Sequence, residues 1–273
     1  MINGMPRLGL LALASGLALG LAACGADNTE QGTDGSSAAE PSVSEQPALE
    51  GDVVVLAAAS LTESFSQLGA DFEAENPGVT VTFSFGASSA LAQQVVSGAP
   101  GDLFASASPT TMATVTDAGL ARGEPVVFVR NRLQIAVPAG NPGGVTGLAD
   151  FADADLTIAL CAEEVPCGAA AAKAFTSAGI TPAPDTLEQD VKATLTKVEL
   201  GEVDAALVYR TDVRAAGDTV EGINFPASGD AINDYPIVLL TESPNPDAGT
   251  AFIEYVQSDE GLAALEEAGF QLP

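Results

Sequence analysis

The chain has 273 residues, 47% hydrophobic and 17% charged, which is enough apolar material for one or two buried cores and too much for a largely disordered polymer. Basic residues number 9 against 37 acidic ones, a formal net charge of -28, so the basic footprint that nucleic acid demands is missing. There is no histidine, which removes Ser-His-Asp and Cys-His hydrolases together with the commonest metal ligand. The acidity leaves room for a small anionic ligand, because exposed charges are screened beyond about 8 Å at physiological salt. Local dipoles, not a basic field, would have to hold it.

Met1 to Ala23 reads as an export signal: Arg7 supplies a thin positive start, and Leu8 to Ala22 is an apolar run of Leu, Ala and Gly. The run is shorter than the roughly 20 residues of a membrane span. It ends in Leu21-Ala22-Ala23-Cys24-Gly25, which resembles the bacterial lipobox and makes Cys24 the expected lipidation site. The alternative is an ordinary secreted protein with a chance cysteine. Residues 24–50 are the lipidated Cys and a disordered linker: from Gly25 on, the stretch is rich in Gly, Ser, Ala, Pro and Glu, with six acidic residues and no aromatic or basic one. Such a tether spans on the order of 30 Å.

From Gly51 short apolar runs alternate with helical patterns, the mark of an α/β fold. Asp52 to Leu56 is a strand, and Leu61, Phe65, Leu68 and Phe72 have helical spacing. Ser60-x-x-Glu63 between them reads as a capping box, in which Ser60 satisfies the first helical turn. The same turn exposes N–H groups at the positive end of a helix, where an anion can sit. Val79 to Phe85 is a second strand, and Gly86-Ala87-Ser88-Ser89 opens a second helix. Leu103 to Ala105 is a third strand, followed by Ser106-Ala107-Ser108-Pro109, where Ser108 caps and Pro109 fits the first helical position. Three strand-to-helix turns of small residues thus arrive in sequence. In an open α/β sheet, ligands bind where such turns gather, beyond the carboxyl ends of the strands.

Val126 to Val129 and Leu133 to Pro138 are further strands around Arg130-Asn131-Arg132, the passage to a second lobe. There, Leu156 to Leu160 is a strand, Ala169 to Ala178 an alanine-rich helix, Val191 to Leu200 a helix and Ala205 to Tyr209 a buried strand. The chain returns after Asn224-Phe225-Pro226 to a strand, Tyr235 to Leu240, and two helices, Pro246 to Gln257 and Asp259 to Ala268. The expected domains are a signal peptide at 1–23, lobe 1 at 51–131 plus 227–273, and lobe 2 at 132–226. Cys161 and Cys167, in an exported chain, are expected to form a disulfide. A reactive thiol at the helix start conflicts with the oxidising context, and a metal pair lacks a histidine to complete a zinc site.

Six segments together resemble the molybdate-binding proteins of ATP-binding-cassette importers: Ala57 to Thr62; Phe85 to Ser89; Gly98 to Ala107; Val165 to Gly168; Asp190-Val191; and Val208 to Asp212. The likeness spans Val53 to Pro273. It implies a two-lobed periplasmic-binding-protein-like fold (type II), two α/β domains joined by two crossover strands. It implies that the molybdate or tungstate oxyanion is held by neutral donors, with no direct metal-cation ligands: hydroxyls of Ser60, Ser88 and Tyr209, and backbone N–H groups of Ala107, Cys167 and Val191. The implied role is capture of molybdate for a membrane permease, with no catalysis and no cofactor. The implied protein is an exported monomer, lipid-anchored to the outer face of the bacterial cytoplasmic membrane. A sulfate or other tetrahedral-oxyanion receptor of the same fold is the alternative, and an exported enzyme or structural lipoprotein a more distant one. Cys167 stands where the family often has alanine, Ala87 where it often has serine, and Arg210 where a small residue is common.

Overall fold

Two five-stranded sheets carry the fold in the computed structural model, which describes residues 48–273. The expected export signal, Cys24 and nearly all of the expected linker lie outside the described residues. The first sheet is built from β1 (Gly51–Ala58), β2 (Val79–Gly86), β3 (Leu103–Ala105), β4 (Ala121–Asn131) and β10 (Asn233–Leu240) in the order β2-β1-β3-β10-β4. The second is built from β5 (Leu133–Pro138), β6 (Ile158–Cys161), β7 (Thr186–Glu188), β8 (Ala205–Tyr209) and β9 (Val220–Ile223) in the order β7-β6-β8-β5-β9. In each sheet three parallel strands are followed by an antiparallel fourth, β10 or β5, and a fifth that pairs antiparallel to it.

Each fourth strand begins where the chain arrives from the other sheet. One residue, Arg132, separates β4 of the first sheet from β5 of the second. The return, from Ile223 to Asn233, is not a continuous strand but passes through a 3-10 turn, Pro226–Asp230. The two passages meet at one point: Asn131, ending β4, is registered against Asn233, opening β10.

Helices follow the parallel strands as the turn chemistry predicts. They are α1 (Thr62–Glu75), α2 (Ser88–Val96) and α3 (Pro109–Asp117) on the first sheet, and α4 (Pro166–Ala178), α5 (Val191–Glu199) and α6 (Arg210–Ala216) on the second. Two more, α7 (Pro246–Val256) and α8 (Asp259–Ala268), close the chain against the first sheet. Ser108 caps α3 by accepting the Thr111 N–H at 3.2 Å, with Pro109 in the first position. The apolar stripe of α1 places Phe65 and Phe72 against Phe252 of α7 at ring separations of 6.1 and 5.3 Å. Burying such rings contributes about 2–3 kcal/mol each, which seats the helix and fixes where it begins. The second core is lighter. Ala170, Ala171 and Ala174 let α4 lie close to its sheet, and Phe175 packs on Phe151.

The capping box expected at Ser60 does not form. A 3-10 turn, Ala59–Leu61, intervenes before α1, and the helix has no side-chain cap. The Ser60 hydroxyl is turned toward the Tyr235 hydroxyl at 2.8 Å, and Glu63 turns outward to Lys192. The tight turn moves Ser60 out of reach of the amides it was expected to satisfy.

Two ties hold the second sheet's turns. The Cys161–Cys167 disulfide, Cα atoms 5.8 Å apart, joins the end of β6 to the start of α4. Gly168 lies so close to this loop that a Cβ there would overlap the Ala162 carbonyl. The other tie is ionic. Lys192 on α5 has its Nζ 2.7 Å from Glu63 Oε2 on α1 and 3.2 Å from Asp212 Oδ1 on α6. Asp212 Oδ1 has that ammonium as its charged neighbour, while Oδ2 accepts the Tyr209 N–H at 3.0 Å. Asp212 is fully buried, and burial pushes its pKa up to about 6 even though Lys192 pulls the other way. Burial also works against the Lys192 charge, but Asp212 and Glu63 together outweigh it and hold its pKa above the usual value.

Two outcomes follow. A carboxyl whose pKa is raised on folding stabilises most below its unfolded value near 3.8 and loses that stabilisation as pH climbs through about 6. The thermal midpoint of the wild type should therefore rise relative to that of Asp212→Asn as pH is lowered from about 7 to 5. Melting both across that window checks this, and a constant gap would refute it. Replacing Cys161 and Cys167 by serine should cost about 2–3 kcal/mol, the chain-entropy value for so short a loop, seen as a midpoint several degrees lower. Reductant should shift the wild type and leave the double variant unmoved.

Candidate functional site

The carboxyl ends of β1, β2, β3, β6, β7 and β8 all open onto one region between the sheets, and the turns after them line a small cavity. It has room for one compact ligand and not for a drug-sized one. The six residues implied by the resemblance, Ser60, Ser88, Ala107, Cys167, Val191 and Tyr209, all line it. The first three come from the first sheet's turns and the last three from the second's. Small neighbours, Ala58, Ala59, Gly86 and Ala87, let backbone amides approach its surface.

Each position follows from local chemistry. Ser88 is the first residue of α2, and Val191 the first of α5. Cys167 is second in α4 behind Pro166, which has no N–H, so the Cys167 amide is the helix's first donor. The first amides of a helix have no partner within it and lie at its positive end, where a negative charge is favoured. Asp190 brings the one carboxylate to the cavity lining, but its Oδ1 accepts the Ala193 N–H at 2.8 Å as the cap of α5. Tyr209 ends β8 and is buried, as are Ser60 and Ser88. Burial, with Tyr235 and Asp212 adding to it, pushes the Tyr209 phenol well above its usual range, so it keeps its proton at any physiological pH.

No lysine or arginine lines the cavity. Arg210 follows Tyr209 in sequence but stays out of the lining, and its backbone N–H donates to the Arg132 carbonyl at 3.0 Å. Among the described residues there is no cluster of metal-ligating side chains.

The Ala107 N–H, implied as a ligand contact, donates in this structure to Ser88 Oγ at 3.0 Å. Three further residues stand directly behind the lining and escaped the sequence reading. Asn233 Nδ2 lies 2.8 Å from the Ala107 carbonyl and 2.8 Å from the Tyr209 hydroxyl, with the Pro166 carbonyl at 3.5 Å. Tyr235, two residues on and hence on the same face of β10, meets Ser60. Asn131 Nδ2 reaches Thr211 Oγ1 at 2.9 Å and the Tyr235 hydroxyl at 3.5 Å. A signal existed: Asn233 and Tyr235 open a strand, Asn233–Leu240, whose following residues Ile237 to Leu240 are all buried and apolar. Polar groups on the inward face of a buried strand have to be serving a polar partner.

A profile of the bacterial extracellular solute-binding protein family matches residues 53–271. The molybdate-binding protein ModA of Mycobacterium tuberculosis is 37% identical over 257 residues, covering 94% of this chain and 95% of its own. Among solved structures, the periplasmic molybdate-binding protein of Azotobacter vinelandii superposes with a TM-score of 0.70 at 20% identity, covering 81% of this chain and 99% of its own. The sulfate-binding protein SubI of Mycobacterium tuberculosis superposes with a TM-score of 0.71 at 18% identity, covering 82% of this chain and 87% of its own. Those two superpositions speak for the two-lobed α/β fold, and the relative at 37% identity narrows the group. The chain belongs to the bacterial extracellular solute-binding protein family, among its ModA members.

Proposed function

We propose that this protein captures molybdate, and tungstate with it, in the cavity between its sheets and delivers it to the membrane permease of an ATP-binding-cassette importer. It binds its ligand and does not transform it. It works as an exported monomer held to the outer face of the cytoplasmic membrane by lipid on Cys24. The observation that carries the ligand class is the lining itself: hydroxyls and helix-start amides from six strand ends, with no cation among them.

A fully deprotonated tetrahedral dianion accepts hydrogen bonds on every side, so a lining of hydroxyls and helix-start amides, whose one carboxylate, Asp190, is engaged as a helix cap, suits it. Hydrogenphosphate carries a proton that needs an acceptor and is disfavoured. Sulfate satisfies the same donors in kind but is smaller, and leaves some of them beyond hydrogen-bond reach. Because donors arrive from both sheets, the bound ion favours the arrangement in which the two approach each other. Ser60, Ser88 and Tyr209 supply the hydroxyls, and Cys167 and Val191 supply amides. The Ala107 N–H acts through Ser88, orienting its hydroxyl.

A thermal-shift panel of molybdate, tungstate, sulfate and phosphate tests the reading, since a ligand specific for the native state raises the midpoint. Molybdate and tungstate should shift it most and phosphate least. Sulfate at the head of the order would replace the proposed ligand by sulfate, and no shift with any oxyanion would end the reading. Charge-assisted hydrogen bonds are worth about 1.5–3 kcal/mol, so Ser60→Ala, Ser88→Ala and Tyr209→Phe should each weaken molybdate binding roughly 10- to 100-fold by calorimetry. Wild-type affinity in all three would remove these hydroxyls from the site.

A further inference from the structure

Three hydroxyls face the cavity, and the oxygen of each has a protein neighbour behind it. Ser88 Oγ receives the Ala107 N–H at 3.0 Å. The Tyr209 oxygen receives Asn233 Nδ2 at 2.8 Å. Ser60 Oγ meets the Tyr235 hydroxyl at 2.8 Å, whose own oxygen faces Asn131 Nδ2 at 3.5 Å. The direction of these bonds decides what the cavity can offer a ligand, because a hydroxyl both donates and accepts.

For Asn233 the direction is fixed by its surroundings. The amide atom that meets Tyr209 also lies 2.8 Å from the Ala107 carbonyl and 3.5 Å from the Pro166 carbonyl. Carbonyl oxygens only accept, so that atom is the NH₂ group. One of its hydrogens goes to Ala107 and the other to the phenol oxygen of Tyr209, leaving the phenol's own hydrogen for the cavity, where a ligand competes for it with the neighbouring Tyr235 oxygen. Asn131 is fixed in the same way: its Oδ1 accepts the Arg132 N–H at 2.9 Å, which turns its Nδ2 toward Tyr235. Both asparagines are buried and stand opposite each other in the pairing of β4 with β10.

We propose that Asn233 is a positioning residue that sets ligand specificity: by donating to the Tyr209 oxygen it commits the Tyr209 hydroxyl to donate into the cavity, and so excludes oxyanions that carry a proton. Asn131, through Tyr235, does the same for Ser60. The inference rests on the oxyanion-capture reading and deepens it, since donor-only chemistry becomes a property of the layer behind the site. Asn233 also ties both sides of the cavity, Ala107 from the first sheet and Pro166 and Tyr209 from the second, so the polarity is imposed where the two sides come together.

The test is a double-mutant cycle between Asn233→Ala and Tyr209→Phe, with molybdate, sulfate and hydrogenphosphate titrated calorimetrically at pH 8 on the full chain. Asn233→Ala should weaken molybdate binding at least tenfold when Tyr209 is present and less than about threefold in the Tyr209→Phe background. It should also narrow the preference for sulfate over hydrogenphosphate about tenfold or more, because a freed phenol oxygen can accept the phosphate proton. Molybdate and sulfate, neither of which carries a proton, should fall together. If Asn233→Ala does not fold, Asn233→Ser, which keeps a single donor, enters the same cycle with the same signs. Equal losses for all three anions, or the same loss with and without the Tyr209 hydroxyl, would make Asn233 merely structural and overturn the proposal while leaving oxyanion capture intact. A wild-type protein that binds none of the three would overturn both.

Discussion

The register of Asn131 against Asn233 is the constraint on which the cleft depends. The fourth strand of each sheet begins as the chain arrives from the other, and the two passages meet at this pair. A slip of one residue would reverse every side chain of β10, removing Asn233 from Tyr209 and Tyr235 from Ser60 and exchanging Ile237 and Leu239 with Val238 and Leu240 between the cores on its two faces. Apolar cores cover both faces of β10, so apolar burial alone separates one register from the next only weakly, and the hydrogen bonds of Asn233 and Tyr235 at its start help to pin it.

Around that fixed point the lining is assembled from parts that carry partial charges only. Parallel strands end together, helices begin where they end, and the helix starts supply oriented amides without any basic side chain. The disulfide and Gly168 hold one such start against β6, and the Asp190 cap holds another. Such dipoles are set in place during folding and need little rearrangement when charge arrives, which is why a cavity poor in cations can still suit an anion.

Most of the strands and helices were legible because their signals are local. Ser108-Pro109 is a cap and a first helical residue within two positions, and the stripe from Leu61 to Phe72 is one helix face. The short strands β7 and β9 were not legible, having only three and four residues, most of them partly or fully exposed, too few for an alternation to read. Ser60 misled for a related reason. The spacing to Glu63 is a genuine capping pattern, yet the Tyr235 hydroxyl that competes for Ser60 stands 175 positions away, where no local pattern reaches. The turns that line the cavity could be read from small residues and from family likeness, whereas the asparagines behind them are single residues defined by what folds against them.

The cavity's lack of cations has a kinetic side. The whole chain carries a formal charge of -28, so an approaching dianion is repelled once it comes within about a Debye length, 8 Å at physiological salt, of the surface. The amides and hydroxyls of the cleft act at shorter range still. Encounter is slowed where a basic receptor would steer its ligand in, and dissolved salt speeds arrival instead of hindering it. Tight retention in such a protein is then a matter of slow departure, set by how long the two sides of the cleft stay together around the ion.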